Sequence, residues 1–107
     1  MKVENTQAQM RKGILEYCIL AILSKKAAYP SDIIEELKRA KLIVVEGTLY
    51  PLLTRLKNAG LLEYTWVESS SGPPRKYYGL TSEGEAFKTL LEETWNDLKN
   101  AVEILSK

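Results

Sequence analysis

The chain has 107 residues, 45% of them hydrophobic and 27% charged, which suits one ordinary folded domain and leaves no room for a second independent core. It contains no histidine and a single cysteine, Cys18, which removes a disulfide framework, a usual structural zinc site and the commonest general base near neutral pH. The formal charge of +1 hides an asymmetry: residues 1–82 carry 12 Lys and Arg against 8 Asp and Glu, whereas residues 83–107 carry 3 against 6. The body and the last segment are therefore suited to different partners.

No catalytic constellation, metal site or cofactor site is expected from this composition. No apolar run reaches the roughly 18 to 20 residues that span a bilayer. The N-terminus lacks the pattern of a secretory signal, so a cytoplasmic location without a membrane partner is expected.

The first predicted element is a helix from about Thr6 to Ser24. Met10, Ile14, Cys18 and Ala21 recur at helical spacing, and Leu15, Ile19, Leu20 and Leu23 widen the apolar surface beyond one face. So wide a girth suits a helix buried on two sides, the second by a partner subunit in so short a chain. Pro30 fits the first turn of a second helix, which runs to about Ala40 with Ile33, Ile34 and Leu37 inward. Leu42 to Val45 is β-prone, as a brief strand or an extended connector.

A third helix is expected over Glu46 to Ala59, closed by Gly60. Leu49, Leu52, Leu53 and Leu56 follow the i, i+3, i+4, i+7 pattern and point inward. The opposite face then carries Gly47, Tyr50, Pro51, Thr54 and Asn58, flanked by Thr48, Arg55 and Lys57, and Pro51 favours a kink. Leu61 to Val67 reads as a strand, Ser69 to Pro74 as a turn or loop, and Arg75 to Leu80 as the returning strand. Thr81 or Ser82 begins the last helix, where Ser82-Glu83-Gly84-Glu85 fits a capping box. Phe87, Leu91, Trp95, Leu98, Val102 and Leu105 then form a packing seam of nearly three heptads.

The order α-α-α-β-β-α predicts a mainly α protein with a small β-hairpin, a winged helix-turn-helix carrying a long C-terminal helix. Residues 1–80 make the DNA-binding unit and residues 81–107 a dimerisation helix. In a helix-turn-helix the second helix of the pair enters the major groove, about 12 Å wide, so base contacts come from one exposed face. Tyr50, Thr54 and Asn58 are the candidate readers, with Pro51 on the same face. Thr48 near the helix start is suited to a phosphate, and Arg55 and Lys57 supply attraction to the backbone. Arg75 and Lys76, beside the slim tip of the hairpin, are placed to straddle phosphates or reach a minor groove.

The segments Gly47-Thr48-Leu49-Tyr50-Pro51-Leu52-Leu53, Arg55-Leu56-Lys57 and Gly60-Leu61-Leu62 resemble the recognition-helix signature of the PadR family. Gly72-Pro73-Pro74-Arg75-Lys76-Tyr77-Tyr78-Gly79-Leu80-Thr81 with Glu83-Gly84 resembles its wing signature. The chain departs from the family at Tyr29-Pro30-Ser31, where members often have a Gly between two aromatic residues. The resemblance implies a transcriptional regulator, a repressor that binds double-stranded operator DNA as a homodimer. The first helix of one subunit would embrace the last helix of the other, through Ile14, Cys18, Phe87, Leu91, Trp95, Leu98, Val102 and Leu105.

The single C-terminal helix resembles the short subfamily of multidrug-sensing repressors of the LmrR type. That likeness implies an effector pocket for a planar hydrophobic ligand, built by Trp95 with Met10, Gly13 and Tyr17. Plain packing of Trp95 in the dimer seam is the other reading of the same residue. A winged-helix adaptor that binds protein and not DNA is the rival function, and an acidic or apolar recognition face would mark it.

Overall fold

The computed structural model describes residues 1–107, beginning with helix α1 over Val3–Lys25. Leu15, Ile19, Leu20 and Leu23 are its buried side chains. The face that carries Ile14, Cys18 and Ala21 is only half-buried, and Met10 lies in the open. Helix α2, Pro30–Arg39, starts on Pro30, whose missing N–H costs nothing in a first turn. The Tyr29 N–H donates to the Asp32 carboxylate at 3.0 Å, and Ile33 and Leu37 enter the core.

Helices α2 and α3 (Glu46–Asn58) end in the same way. After α2, the Leu42 N–H donates to the Leu37 carbonyl at 2.8 Å and Lys41 N–H to Lys38 at 3.0 Å. After α3, Leu61 N–H donates to Leu56 and Gly60 N–H to Lys57, both at 3.0 Å. Each pair is a Schellman closure, which requires a left-handed residue after the cap. Gly60 supplies it at φ 80°, and Lys41 supplies it at φ 68° with a Cβ in place, a conformation that costs on the order of 1 kcal/mol.

Leu42 to Val45 forms a connector and no strand, alternating Val44 inward with Ile43 and Val45 outward. Helix α3 continues on both sides of Pro51, with Leu49, Leu53 and Leu56 buried and Leu52 half-buried. The side chains of α1, α2 and α3 meet in one cluster of 14 buried residues, to which the hairpin adds Leu62 and Tyr78.

The hairpin pairs β1 (Leu62–Ser69) with β2 (Gly72–Leu80) antiparallel, from Leu62 opposite Leu80 to Ser69 opposite Gly72. The returning strand therefore starts three residues before the predicted Arg75, and Pro73 and Pro74 belong to it and not to the turn. Prolines are tolerated there because an edge strand spends half of its N–H groups on solvent. Only Ser70 and Ser71 connect the strands, with a register irregularity between Val67 and Ser69.

Two strands alone are marginal, and this pair is anchored by a third segment. Ala28 and Tyr78 exchange backbone hydrogen bonds of 2.9 Å in both directions, tying the wing to the α1–α2 loop. Tyr78 is buried against the core and Tyr77 points the other way, its ring centroid 4.9 Å from that of Tyr29.

Helix α4 covers Ser82–Ser106, and its start differs from the predicted capping box. Thr81 is the cap: its hydroxyl accepts from Gly84 N–H at 3.0 Å and donates to the Gly60 carbonyl at 2.7 Å. Ser82 donates instead to Glu83, and Glu85 accepts from the Ser24 hydroxyl at 2.8 Å, joining α4 to α1. Neither half of the box between Ser82 and Glu85 forms, because Ser82 already lies inside the helix, one residue past the cap. Beyond Leu91 every residue of α4 is exposed, and the molecule measures 54 × 32 × 23 Å.

Candidate nucleic-acid interface

Helix α3 has three functional sides once its leucines are turned inward. Gly47, Pro51, Thr54 and Asn58 lie on the side away from the core, all exposed. Tyr50 and Lys57 occupy the flank toward the wing; the Lys57 ammonium lies 5.8 Å from the centre of the Tyr64 ring. Thr48 and Arg55 occupy the flank toward α1. Arg55 is paired there with Glu16 at 3.0 Å, so its guanidinium is turned to α1 and not to the outer side. No acidic residue sits on the outer side; Glu46, in the first turn, is the helix's one acid.

On β2, Arg75 and Lys76 project to opposite faces, as neighbours on a strand must. Arg75 donates to the Ser31 hydroxyl at 2.8 Å and stacks over the Tyr29 ring at 3.9 Å. Lys76 lies over Tyr64 at 4.6 Å and Trp66 at 5.4 Å. Both cations are thus oriented by aromatic faces, an attraction worth about 0.5–1 kcal/mol at exposed sites, and little side-chain freedom is left to lose on docking. Between the start of α2, the start of α3 and the wing lies an open cleft of about 420 Å³. Ser31 and Trp66 line it, and neither was singled out in the sequence. The available signal for Trp66 was its strand phase, on the same face as Leu62 and Tyr64 but two residues beyond the core.

A second, largely apolar cleft of about 510 Å³ lies on the other side of α3, walled by α1, α3 and α4. Gly13 and Tyr17 from α1 and Trp95 from α4 line it together with Phe87, Leu91 and Leu98. Met10, expected beside them, does not reach it. Arg55 and Leu56 bring α3 into the same wall. Cys18 lies half-buried, and burial pushes its thiol above the ordinary range, which opposes a reactive thiolate. No group of three or more His, Cys, Asp or Glu side chains converges as a metal site, and no helix is long and apolar enough to cross a membrane.

The family model of PadR-like transcriptional regulators matches residues 19–89, which include α2, α3 and the whole wing. The chain belongs to the PadR-like family. Its fold is similar to that of a PadR-like transcription factor from Bacteroides fragilis, 62% identical over 94% of this chain and 98% of the other, with a TM-score of 0.80. A PadR-like regulator from Bacillus cereus is 37% identical over 92% and 97% of the two chains, with a TM-score of 0.80. A PadR-family regulator from Eggerthella lenta is 32% identical over 98% and 88%, with a TM-score of 0.83. Membership makes the chain a DNA-binding transcriptional regulator. The winged helix with a hairpin wing is the architecture expected of a PadR-like chain.

Proposed function

We propose that this PadR-like regulator is a homodimeric repressor which lays two α3 helices in successive major grooves of a near-palindromic operator and is released by a planar hydrophobic effector. The observation that carries the reading is the outer side of α3. Gly47, Pro51, Thr54 and Asn58 are exposed on the side of the helix that faces away from the core, the wing and α1. Thr54 and Asn58 read base edges; Tyr50, on the flank toward the wing, engages the backbone together with Thr48, Lys57, Arg75 and Lys76. Arg55 joins the phosphate contacts only by leaving Glu16.

Dimerisation is supported by surface area. A compact chain of this mass exposes about 6,000 Å², whereas this one exposes 7792 Å². The excess, roughly 1,800 Å², exceeds the ~800 Å² that a partner contributes to a standard interface. Much of it lies on α4, where Leu98, Val102 and Leu105 are 54%, 60% and 84% exposed. In this reading residues 81–107 dimerise the protein, residues 1–80 bind DNA, and Ile14 and Cys18 of α1 receive the partner's α4. The effector role is supported by the apolar cleft with Trp95 on its wall. The protein works in the cytoplasm, where its DNA is.

A gel-shift titration with the DNA upstream of its own gene tests the proposal, together with light scattering for the oligomer. Retarded migration, a dimeric mass and release by a planar cationic dye are expected. A monomer that leaves the DNA unshifted overturns the reading, and a dye that neither perturbs Trp fluorescence nor releases DNA removes the effector from it.

A further inference from the structure

We propose that Trp66 is a contact to the sugar–phosphate backbone of duplex DNA, forming with Lys76 and Tyr50 a seat for one strand in the cleft between α3 and the wing. The inference rests on α3 entering a major groove, and it adds a residue and a surface to that reading.

Trp66 is anomalous as a structural residue. Along its face of β1 burial falls away from the core: Leu62 is buried, Tyr64 half-buried, and Trp66 61% exposed. A large indole left in water costs hydrophobic free energy that a polar residue at the same place would avoid. Its orientation is nonetheless fixed. The Tyr64 ring meets it edge-on at 5.7 Å and 87°, and its cross-strand partner Lys76 holds an ammonium 5.4 Å from the ring centre.

The chemistry of the cleft selects the occupant. Its other walls include the cations Arg75 and Lys76, the hydroxyls of Ser31 and Tyr50, and one acid, Glu46. An apolar partner protein would want an apolar surround to the indole, which is missing. A polyanionic strand finds cations and hydroxyl donors beside an exposed aromatic surface on which deoxyribose can pack. The position agrees: a cleft bordering the groove-facing helix on one side and the wing on the other lies over the backbone that separates the two grooves. No residue of α1 or α4 lines it, so a partner subunit docked on those helices leaves it open.

The test compares wild type, Trp66→Phe and Trp66→Ala on a fluorescein-labelled mixed-sequence duplex of roughly 30 base pairs, three helical turns, at low salt. Trp66→Ala should bind about 3- to 10-fold more weakly, the scale of one lost aromatic or cation–π contact, and Trp66→Phe should recover part of the loss. Subtracting the emission of Trp66→Phe from that of wild type isolates the Trp66 indole from Trp95. Acrylamide should quench that difference signal less once duplex is bound. Unchanged quenching at saturating duplex, or wild-type affinity in Trp66→Ala, overturns the proposal. Should Trp66→Ala fail to fold, the quenching comparison decides alone. Wild type that binds no duplex at all would instead defeat the major-groove reading of α3, and this contact with it.

Discussion

Replacing Gly84 by Ala should destabilise the protein by about 2–4 kcal/mol, against the rule that this exchange favours a helix. A Cβ at position 84 would stand 2.1 Å from the carbonyl oxygen of Leu61 and 3.2 Å from Cδ2 of Leu80. Relief to an ordinary contact needs roughly 1.3 Å of movement between the first turn of α4 and a backbone that cannot rotate away. Overpacking of this kind costs ~1–3 kcal/mol. The displacement also pulls Gly84 N–H from the Thr81 cap and Thr81 N–H from Leu61, now 3.0 and 3.1 Å, each worth about 1 kcal/mol. The gain in helix propensity returns at most ~1 kcal/mol. Thermal unfolding at one fixed protein concentration should show a Tm lowered by roughly 10–20 °C. Gly47→Ala is the control, because a Cβ there meets nothing within 4 Å. If Gly84→Ala melts within a degree or two of wild type while Gly47→Ala does the same, the close seating of α4 on Leu61 is not what holds that helix.

Exchanging Arg75 and Lys76 together for Ala should flatten the dependence of duplex affinity on salt. Two phosphates released per subunit remove about 3.5 from the log–log slope of a dimer, and an unchanged slope would take the wing off the DNA. Arg55→Ala should leave that slope unaltered, because Glu16 holds the guanidinium on the α1 side; a fall of about 1 per subunit would mean that the pair opens on docking. Ser24→Ala should raise the pKa of Glu85, which is held below the usual carboxylate range first by the Ser24 hydroxyl and then by Lys88. A depressed folded pKa stabilises above the unfolded value and is lost as pH falls through the folded one. The substitution should therefore lower Tm at neutral pH and leave it unchanged once both forms are protonated. Equal losses at the two pH values would assign the effect to packing.

Element order was legible in the sequence because periodicity changes sharply along it. The leucines of Glu46–Asn58 repeat at helical spacing, and the alternation after Gly60 can only be a strand. The motifs around Gly47 and Gly72 carried the family. What was hidden depends on contacts between segments far apart in the chain. The Schellman turn at Lys41 has no glycine to announce it. The bridge from Ala28 to Tyr78 joins a featureless Ala-Ala to a strand fifty residues later. The cap fell on Thr81 and not on Ser82 because Thr81 also reaches the Gly60 carbonyl, a tertiary contact that local spacing cannot report. The pairing of Arg55 with Glu16 is of the same kind. By helical phase alone, a cation at position 55 flanks the outer side of α3, and only the position of α1 turns it away.

That pairing gives α3 a mechanical consequence. With Leu49, Leu53 and Leu56 fixed in the core, one flank of the helix is held to the wing through Lys57 and Tyr64 and the other to α1 through Arg55 and Glu16. Leu56 and Arg55 are also part of the wall of the apolar cleft beside Trp95. A ligand that spread α1 from α4 would push on residues about one helical turn from Pro51 and directly after Thr54. Helix α4 amplifies such a push, since it is 25 residues long and so about 37 Å; a tilt of roughly 5° at its seat on Leu61 moves its far end about 3 Å. In the proposed dimer two α3 helices would have to meet grooves about 34 Å apart, so a displacement of that size at the seam would be enough to spoil the match.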